Sequence, residues 1–218
     1  VDFEPVRAKA EGREPEGMDA ATAALFPNEL EDSELGPIPK GWYVDGLGKI
    51  SENIRNQARP ENLHPDTAYI GLEHMPRKSI ALTESGTAEG LASGKFWYAT
   101  NDILFGKLRP YFHKVGLAPG SGVCSTDILV IRPVSQKWLG YAAMQFSSDA
   151  VVSYATQLSN GAKMPRTNWN DLAKYRVALP SEAIAEAFND IVRSLIERIH
   201  ASIGSARTLA DLRDESPL

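Results

Sequence analysis

Two stretches of the sequence carry residues that could support catalysis, and each lacks the spacing that its chemistry requires. Residues 90–96 (GLASGKF) approach a phosphate-binding loop, but the spacing is one residue short and Phe96 stands where a metal-binding Ser or Thr is needed. Asp66 and Glu73 are placed like the acids of a metal-dependent nuclease, but Met75 stands where that chemistry needs a Lys. The methyltransferase signature of Asn or Asp, two prolines and an aromatic residue is absent, and the four histidines show no metal-ligand spacing. The sequence therefore predicts no catalytic residue, no metal and no cofactor.

Cys124 is the single cysteine of the chain. It lies in residues 122–131 (GVCSTDILVI), a run typical of a β-strand, where a buried structural cysteine is more common than a nucleophile. A single cysteine excludes an internal disulfide framework and fits a reducing compartment, so we expect a cytoplasmic protein. One alternative is a small hydrolase that uses Cys124 with His113, and it requires both side chains within hydrogen-bond reach in one cleft.

Residues 94–114 (GKFWYATNDILFGKLRPYFHK) combine basic and aromatic side chains. Four Lys or Arg residues stand against a single acid, and six aromatic residues lie between them. On alternating strands the charges occupy one face while the rings fill the other, and arginine binds phosphates or base edges through two hydrogen bonds. The pattern predicts a DNA-contacting surface that includes Lys107, Arg109, Tyr111 and His113. The alternative is a solvated strand face.

A second polar stretch lies at residues 159–168 (SNGAKMPRTN). Gly and Asn allow sharp turns, and Asn160, Lys163, Arg166 and Thr167 are residue types that contact phosphates and base edges. The same stretch also fits a loop that ends in a helix N-cap, and the two interpretations are compatible. We add these four residues to the predicted DNA-contacting surface.

Charge is distributed as a basic middle between two acidic ends. The net charge of −5, taken for the whole chain, argues against a nucleic-acid partner. Residues 1–36 carry −7 and residues 181–218 carry −3, whereas residues 37–180 carry +5, and a phosphate backbone responds to the local surface. On its own, an excess of +5 over that length is also unremarkable. No apolar run approaches the roughly 20 residues of a membrane span, so no membrane partner is expected.

Three units are expected along the chain. Residues 1–41 form a polar arm or linker that cannot bury a core of its own, with one short helix N-capped by Asp19 and stopped by Pro27. Residues 42–180 alternate short apolar runs with turns, which predicts a mixed α/β domain. Strands are expected at 42–47, 68–71, 96–99, 103–106, 113–117, 123–125, 128–132 and 175–178, and helices at 138–147, 148–156 and 168–172.

Residues 181–218 form the third unit, which is dominated by one amphipathic helix over 181–213. Ser181 is a suitable N-cap, no proline interrupts the run, and apolar residues recur every three or four positions. Such a helix is roughly 50 Å long and outreaches one small domain, so part of its apolar stripe is expected to pair with another helix. The alternative is an ordinary helix that lies on the core. The expected interface residues are Phe188, Val192, Leu195, Ile199 and Ile203.

Short motifs follow one another from one end of the chain to the other: 2–12 (DFEPVRAKAEG), 17–19 (GMD), 25–27 (LFP), 33–42 (SELGPIPKGW), 69–74 (YIGLEH), 102–111 (DILFGKLRPY), 124–127 (CSTD), 161–166 (GAKMPR), 179–180 (LP), 188–191 (FNDI) and 209–214 (LADLRD). Their ordered combination is more specific than any one of them. In this combination, which covers nearly the whole chain, the sequence resembles the specificity subunit of type I restriction–modification systems.

The resemblance implies a defined organisation. An intact subunit of that family holds two DNA target-recognition domains, each followed by a long helix, and the two helices pair as an antiparallel coiled coil. Each domain recognises one half of a split double-stranded DNA sequence and is not itself an enzyme. The helices act as a spacer and dock modification subunits, which bind S-adenosylmethionine and methylate adenine, while restriction subunits join the complex indirectly. The chain is expected to be one such half.

Two consequences follow from the resemblance. In an isolated half, the helix stripe would find its partner in the same helix of a second copy, which predicts a homodimer. The chain departs from the family at 181–186 (SEAIAE), where an EQ-type start is usual, and at 215–218, where an apolar tail is usual; both departures concern the docking of modification subunits. An alternative from another class is a helical scaffold that never touches DNA, which predicts no salt-dependent DNA affinity.

Overall fold

The computed structural model describes residues 3–159 and 163–214 as a mixture of helices and strands. It confirms the mixed α/β class with a long C-terminal helix. The helices are α1 (Glu4–Ala10), α2 (Ala20–Leu25), α3 (Leu139–Phe146), α4 (Asp149–Leu158), α5 (Trp169–Leu172) and α6 (Glu182–Asp214). The strands are β1 (Leu30–Glu31), β2 (Ile38–Pro39), β3 (Tyr43–Gly46), β4 (Ser51–Ile54), β5 (Gln57–Ala58), β6 (Ala68–Ile70), β7 (Gly86–Thr87), β8 (Lys95–Tyr98), β9 (Ile103–Gly106), β10 (Val115–Leu117), β11 (Gly122–Cys124), β12 (Ile128–Pro133) and β13 (Arg176–Leu179).

Two sheets form the centre of the structure. An antiparallel four-stranded sheet has the order β10-β9-β12-β4, and a five-stranded sheet has the order β5-β8-β11-β6-β7, in which β11 and β6 run parallel. Strand β13 pairs with β3, and β1 pairs with β2. Strands β8 and β9 are neighbours in sequence but belong to different sheets. The chain therefore crosses from one sheet to the other inside the basic stretch at 94–114.

The four-stranded sheet separates two hydrophobic clusters. Leu129 and Ile131 of β12 lie in a cluster with α3, α4 and α6, whereas Ile128 and Val130 lie in a second cluster with β6, β8 and β11. Successive side chains of a strand point to opposite faces, so both faces of β12 are buried. This explains why β9 and β12 read as continuous apolar runs rather than as alternating ones.

All eight strands expected from the sequence are present, with ends that differ by at most two residues, and the three expected helices correspond to α3, α4 and α5. Strand β4 was not expected, because Ser51–Ile54 contains one strongly apolar residue. It forms through backbone pairing with β12, whose apolar residues supply the core. The expected strand at 113–117 begins later, at Val115, because His113 ends a 3-10 helix with a left-handed φ of 52°.

The N-terminal arm packs against other elements rather than around a core of its own. The predicted helix is confirmed as α2, and the Asp19 carboxylate accepts hydrogen bonds from the backbone of Ala21 and Thr22 at 3.0 Å. Helix α1 was not expected from its charged sequence, and it is anchored by buried residues, among them Val6. The Trp42 ring lies 5.6 Å from the Phe3 ring, centroid to centroid. Tertiary contacts thus order a segment whose composition alone does not fold.

Helix α6 rests on α3 at a point of very close approach. A Cβ on Gly140 would lie 2.9 Å from the Cβ of Val192, so only glycine allows this packing. The buried Asn189 side chain accepts a hydrogen bond of 3.0 Å from the Gly140 backbone N–H. These contacts fix the base of α6. No helix among residues 3–159 and 163–214 is both long and apolar enough to cross a membrane.

The apolar stripe that the sequence assigned to a partner helix is divided between two sides of α6. Val192 and Ile203 are buried within the chain and Ile199 is half-buried, whereas Phe188 and Leu195 are 39% and 51% exposed. The prediction that all five form one free interface is therefore wrong for Val192 and Ile203, which lie on the core as the alternative expected. Pairing with another helix stays a prediction. The inner side packs on the chain, and the outer side stays exposed.

A buried ion pair joins the turn before β9 to β12. The Asp102 side chain is 2% exposed and accepts hydrogen bonds from Arg132 Nε at 2.7 Å and Nη2 at 2.8 Å. It also accepts a bond of 2.7 Å from the Ala99 backbone N–H. This pairing compensates the cost of removing the carboxylate from water.

Replacing Arg132 with alanine leaves the Asp102 carboxylate buried with only the backbone donor. We expect Arg132→Ala to lower the free energy of unfolding by about 2 kcal/mol, because the change leaves a buried carboxylate without its partner, while water partly replaces an arginine side chain that is 40% exposed. Urea unfolding followed by circular dichroism measures this. Arg193→Ala, which removes the same charge from an exposed site on α6 that faces away from Phe188 and Leu195, is the matched control. Equal stability of the two variants would contradict the account.

Candidate nucleic-acid interface

Backbone pairing joins the two polar stretches that the sequence singled out. After β9, residues 107–109 run antiparallel to residues 165–167: the Arg109 N–H donates to the Pro165 carbonyl at 2.8 Å, and the Thr167 N–H donates to the Lys107 carbonyl at 3.0 Å. Leu108 and Arg166 form the bridge between them. Two segments far apart in sequence thus form one surface.

Asp127 holds this junction from a third segment. Its backbone carbonyl accepts a hydrogen bond of 2.9 Å from the Lys107 N–H, and its carboxylate oxygen Oδ1 lies 3.1 Å from Arg166 Nε. Three motifs that are separate in sequence therefore meet at this junction, namely 102–111, 124–127 and the described part of 161–166. The ion pair also orients the Arg166 guanidinium, which is 46% exposed.

Most of the residues predicted to contact DNA lie on this surface. Arg109, Lys163 and Arg166 are exposed, as is Tyr111, and Lys107 is half-buried. Arg109 adopts a left-handed conformation with φ of 50°. Asn160, also predicted, lies outside the described residues.

His113 and Thr167 are corrections to the predicted surface. His113 is 7% exposed; its Nε2 lies 2.8 Å from the Ser147 carbonyl, and its Nδ1 lies 3.3 Å from the Asp149 carboxylate. His113 therefore fixes the 3-10 helix onto α4 and is not free to contact DNA. Thr167 is 3% exposed and therefore offers little surface for contact with DNA.

Two further basic residues of the stretch at 94–114 also turn inward. Lys95 is 6% exposed and donates to the carbonyl and hydroxyl of Ser93 at 2.7 and 2.8 Å, and burial lowers the pKa of its ammonium group. Lys114 Nζ donates to the Leu72 carbonyl. The expected separation of charges and rings onto two faces is wrong, because β8 and β9 lie in different sheets.

A cleft of about 520 Å³ opens beside the junction, and we call it the basic cleft. Phe96, Ile128, Leu129 and Trp169 supply its apolar lining. None of the described residues that line it is acidic. Four polar members were not predicted as contact residues: Asn53 and Arg55, in and after β4, Asn168, which was expected only as a helix cap, and Asn170 in α5. Nothing in the local sequence marks Asn53 and Arg55 as neighbours of the basic stretches. Its polar lining consists of Asn53, Arg55, Lys107, Arg166, Thr167, Asn168 and Asn170.

The side chains of this surface offer charges and hydrogen-bonding groups to a ligand. Its cations suit phosphate groups, and its carboxamides carry the paired donor and acceptor that base edges present. In the part of the chain that the structure describes, no group of three or more His, Cys, Asp or Glu side chains could hold a metal ion.

Cys124 and His113 do not form a catalytic pair. The Cys124 side chain is fully buried in the five-stranded sheet, and burial, assisted by the charge of Asp102, raises the pKa of its thiol to about 12. Both ring nitrogens of His113 face Ser147 and Asp149 instead. A thiol held neutral in this way is a poor nucleophile, which contradicts the hydrolase alternative.

The chain is similar to known proteins in sequence and in fold. No family model matches the chain. The curated type I restriction enzyme EcoDI specificity subunit of Escherichia coli is 24% identical to it over 166 residues, which make up 72% of the chain. The chain is thus similar in sequence to a type I specificity subunit. It spans 36% of the length of that curated relative.

Solved structures resemble the chain in fold. The HsdS subunit from Thermoanaerobacter tengcongensis matches 85% of the chain with a TM-score of 0.57 and 18% identity, and the chain covers 48% of it. The type I restriction–modification S subunit from M. genitalium matches 80% with a TM-score of 0.53 and 13% identity, and the chain covers 44% of it. A chain from a study of type I restriction–modification complex assembly matches 82% with a TM-score of 0.56 and 19% identity, and 46% of it is covered. The chain thus spans about half the length of these structures.

The buried state of Cys124 has a direct chemical consequence. We expect dithionitrobenzoate to leave the folded protein unmodified at about pH 8, because the thiol is both inaccessible and protonated. One thiol per chain should react once guanidinium unfolds the protein. Absorbance of the released thiolate measures both states. Reaction of the folded protein at the rate of a free cysteine would contradict the structure.

Proposed function

We propose that the chain recognises double-stranded DNA without catalysing a reaction on it, as one half of a type I restriction–modification specificity subunit. The observation that carries the proposal is the junction of residues 107–109 with 165–167, which combines two basic segments into one exposed surface. The names of the relatives support the same role. In this proposal residues 42–180 are the recognition unit, residues 1–41 the arm and residues 181–218 the helical unit.

The charges of the surface suit a phosphate backbone. Arg109 is exposed, and its guanidinium donates to no other described residue. Lys163 and Arg166 stand on the paired segment beside it, and the single nearby acid named above, Asp127, is already engaged by Arg166. Basic side chains mainly hold phosphates and set the register, whereas polar side chains read the edges of bases. Arg109 and Lys163 are therefore assigned to phosphates.

The exposed side of α6 suits a second helix. Phe188, Ile191 and Leu195 follow one another at spacings of three and four and are 39%, 59% and 51% exposed, and Leu209 and Leu212 continue the same side. We assign this stripe to an antiparallel coiled coil with α6 of a second copy, in which the paired helices hold two recognition units apart. Modification subunits dock on the paired helices, and restriction subunits join through them.

A helical scaffold that binds no DNA is the second candidate, and the exposed stripe of α6 is the observation that favours it. The two functions differ in a single property, since only DNA recognition requires an affinity for duplexes that falls as salt rises.

Removing surface cations tests the DNA assignment. We expect Arg109→Ala and Lys163→Ala each to weaken duplex binding at low salt and to reduce the slope of log affinity against log salt by about one. Fluorescence anisotropy with a labelled duplex measures both quantities. Arg193→Ala on α6 removes an equal charge away from the exposed stripe and should leave both unchanged. Loss of affinity in the control alone would move the DNA surface to the helix.

A charge placed in the exposed stripe tests the helix assignment. We expect the wild-type chain to be a dimer by light scattering at micromolar concentration, and Leu195→Asp to be a monomer, because the variant buries a carboxylate in the paired seam. Gly204→Asp adds the same charge to an exposed position of α6 that faces away from the stripe and has open space around it, and this variant should remain a dimer. A monomeric wild-type protein with its helix content intact would refute the pairing.

A further inference from the structure

Several polar side chains that line the basic cleft have no protein partner, although Arg166 pairs with Asp127 and Asn168 donates to Asp171. The side chains of Asn53, Arg55, Lys107 and Asn170 form no hydrogen bond or ion pair with any residue in 3–159 or 163–214. By contrast, the junction beside them is fully paired through its backbone and through Asp127. Unpaired amides that gather in one concavity, rather than scattering over the surface, indicate a ligand that completes them.

Thr167 supplies a second and independent indication. It lines the cleft, it is 3% exposed, and its Oγ1 is buried without a hydrogen-bond partner among the described residues. A buried hydroxyl that stays unpaired costs about 1–3 kcal/mol. A polar atom of a bound molecule, or a water that it organises, would remove that cost.

The walls of the cleft are held rigidly. Asn53 belongs to β4, where it is paired with Ile131 of β12 across the sheet. Asn170 lies in α5, whose N-cap Asn168 accepts a hydrogen bond of 3.1 Å from the Asp171 N–H. The Trp169 ring packs 6.2 Å from the Phe146 ring. Side chains mounted on paired strands and capped helices lose little freedom on binding, which suits discrimination between similar ligands.

We infer that the basic cleft is where the chain reads base sequence, with the carboxamides of Asn53 and Asn170 contacting base edges and the cations Arg55 and Lys107 holding the adjoining backbone. The inference rests on the proposed DNA recognition and extends it to residues that the sequence did not indicate. A carboxamide offers one acceptor and two donors in a plane, and it pairs with the N6 and N7 edge of adenine through two hydrogen bonds. Adenine is therefore the base that this cleft selects.

A site for phosphate alone would have a different composition. The carboxamide N–H groups can donate to phosphate oxygens, but a site for phosphate alone would leave the acceptor oxygens of Asn53 and Asn170 without a donor from the ligand, whereas a base edge supplies one. The apolar floor formed by Phe96, Ile128 and Leu129 also suits the face or methyl group of a base better than a hydrated anion.

The test separates sequence preference from affinity. A library of random duplexes is selected on the 218-residue chain, and the bound molecules are sequenced. The same selection is run on Asn53→Ala/Asn170→Ala and on Asn28→Ala, the last removing an exposed carboxamide from the arm. Anisotropy then gives the affinity of each protein for the selected duplex and for a scrambled one, together with the salt dependence. Asn170→Ala alone, at an exposed site, replaces the double variant if thermal unfolding shows that the latter is destabilised.

We expect the wild type and Asn28→Ala to enrich one adenine-containing motif. The cleft variant should lose about tenfold of the preference for that motif for each carboxamide removed, while its affinity for scrambled DNA and its salt slope stay unchanged. An unchanged motif and an unchanged preference in the cleft variant would overturn the inference and leave DNA recognition standing. A wild type that binds no duplex at low salt would instead refute the proposed function, and the inference with it.

Discussion

The backbone pairing of residues 107–109 with 165–167 is the interaction on which the proposed surface depends. Buried amide and carbonyl groups need hydrogen-bond partners. The residues that follow β9 find theirs in the backbone of the segment before α5. Asp127 strengthens the closure through its backbone and its side chain. The exposed cations, the basic cleft and the buried Thr167 all follow from this one junction, since each lies on or beside the two paired segments.

The fold was predictable where local pattern and tertiary environment agree. The runs that became β9 and β12 are apolar on both faces, and the structure buries both faces in two clusters. The N-cap Asp19 predicted α2, and the apolar periodicity of residues 181–213 predicted α6. The elements that the sequence did not predict are stabilised by contacts with other elements. Strand β4 depends on pairing with β12, and α1 depends on the burial of residues such as Val6. The packing of α6 on Gly140 likewise depends on a distance that no local pattern records.

The sequence predicted the segments that form the site better than it predicted which of their side chains are exposed. Composition identified the two basic stretches, and Arg109 and Arg166 are exposed as expected. Composition could not show which side chains turn inward, because that depends on the crossing from β8 to β9 between two sheets. His113 and Lys95 are buried for this reason. Asn53 comes from an element remote in sequence from both stretches, and Asn170 follows the second stretch by two residues, so only the three-dimensional arrangement shows that their amides share one cleft. The basic cleft is where the proposed DNA recognition would take place.

Hydrogen exchange of the 218-residue chain, with and without a pool of random duplexes at low salt, tests the central claim most directly, because it locates the DNA without presuming a sequence. The account predicts slower amide exchange in residues 105–114 and 163–170 and in β4 when DNA is present, and unchanged exchange along the exposed end of α6. Protection confined to α6 or to the arm, or no protection at concentrations where the duplex is bound, would contradict it.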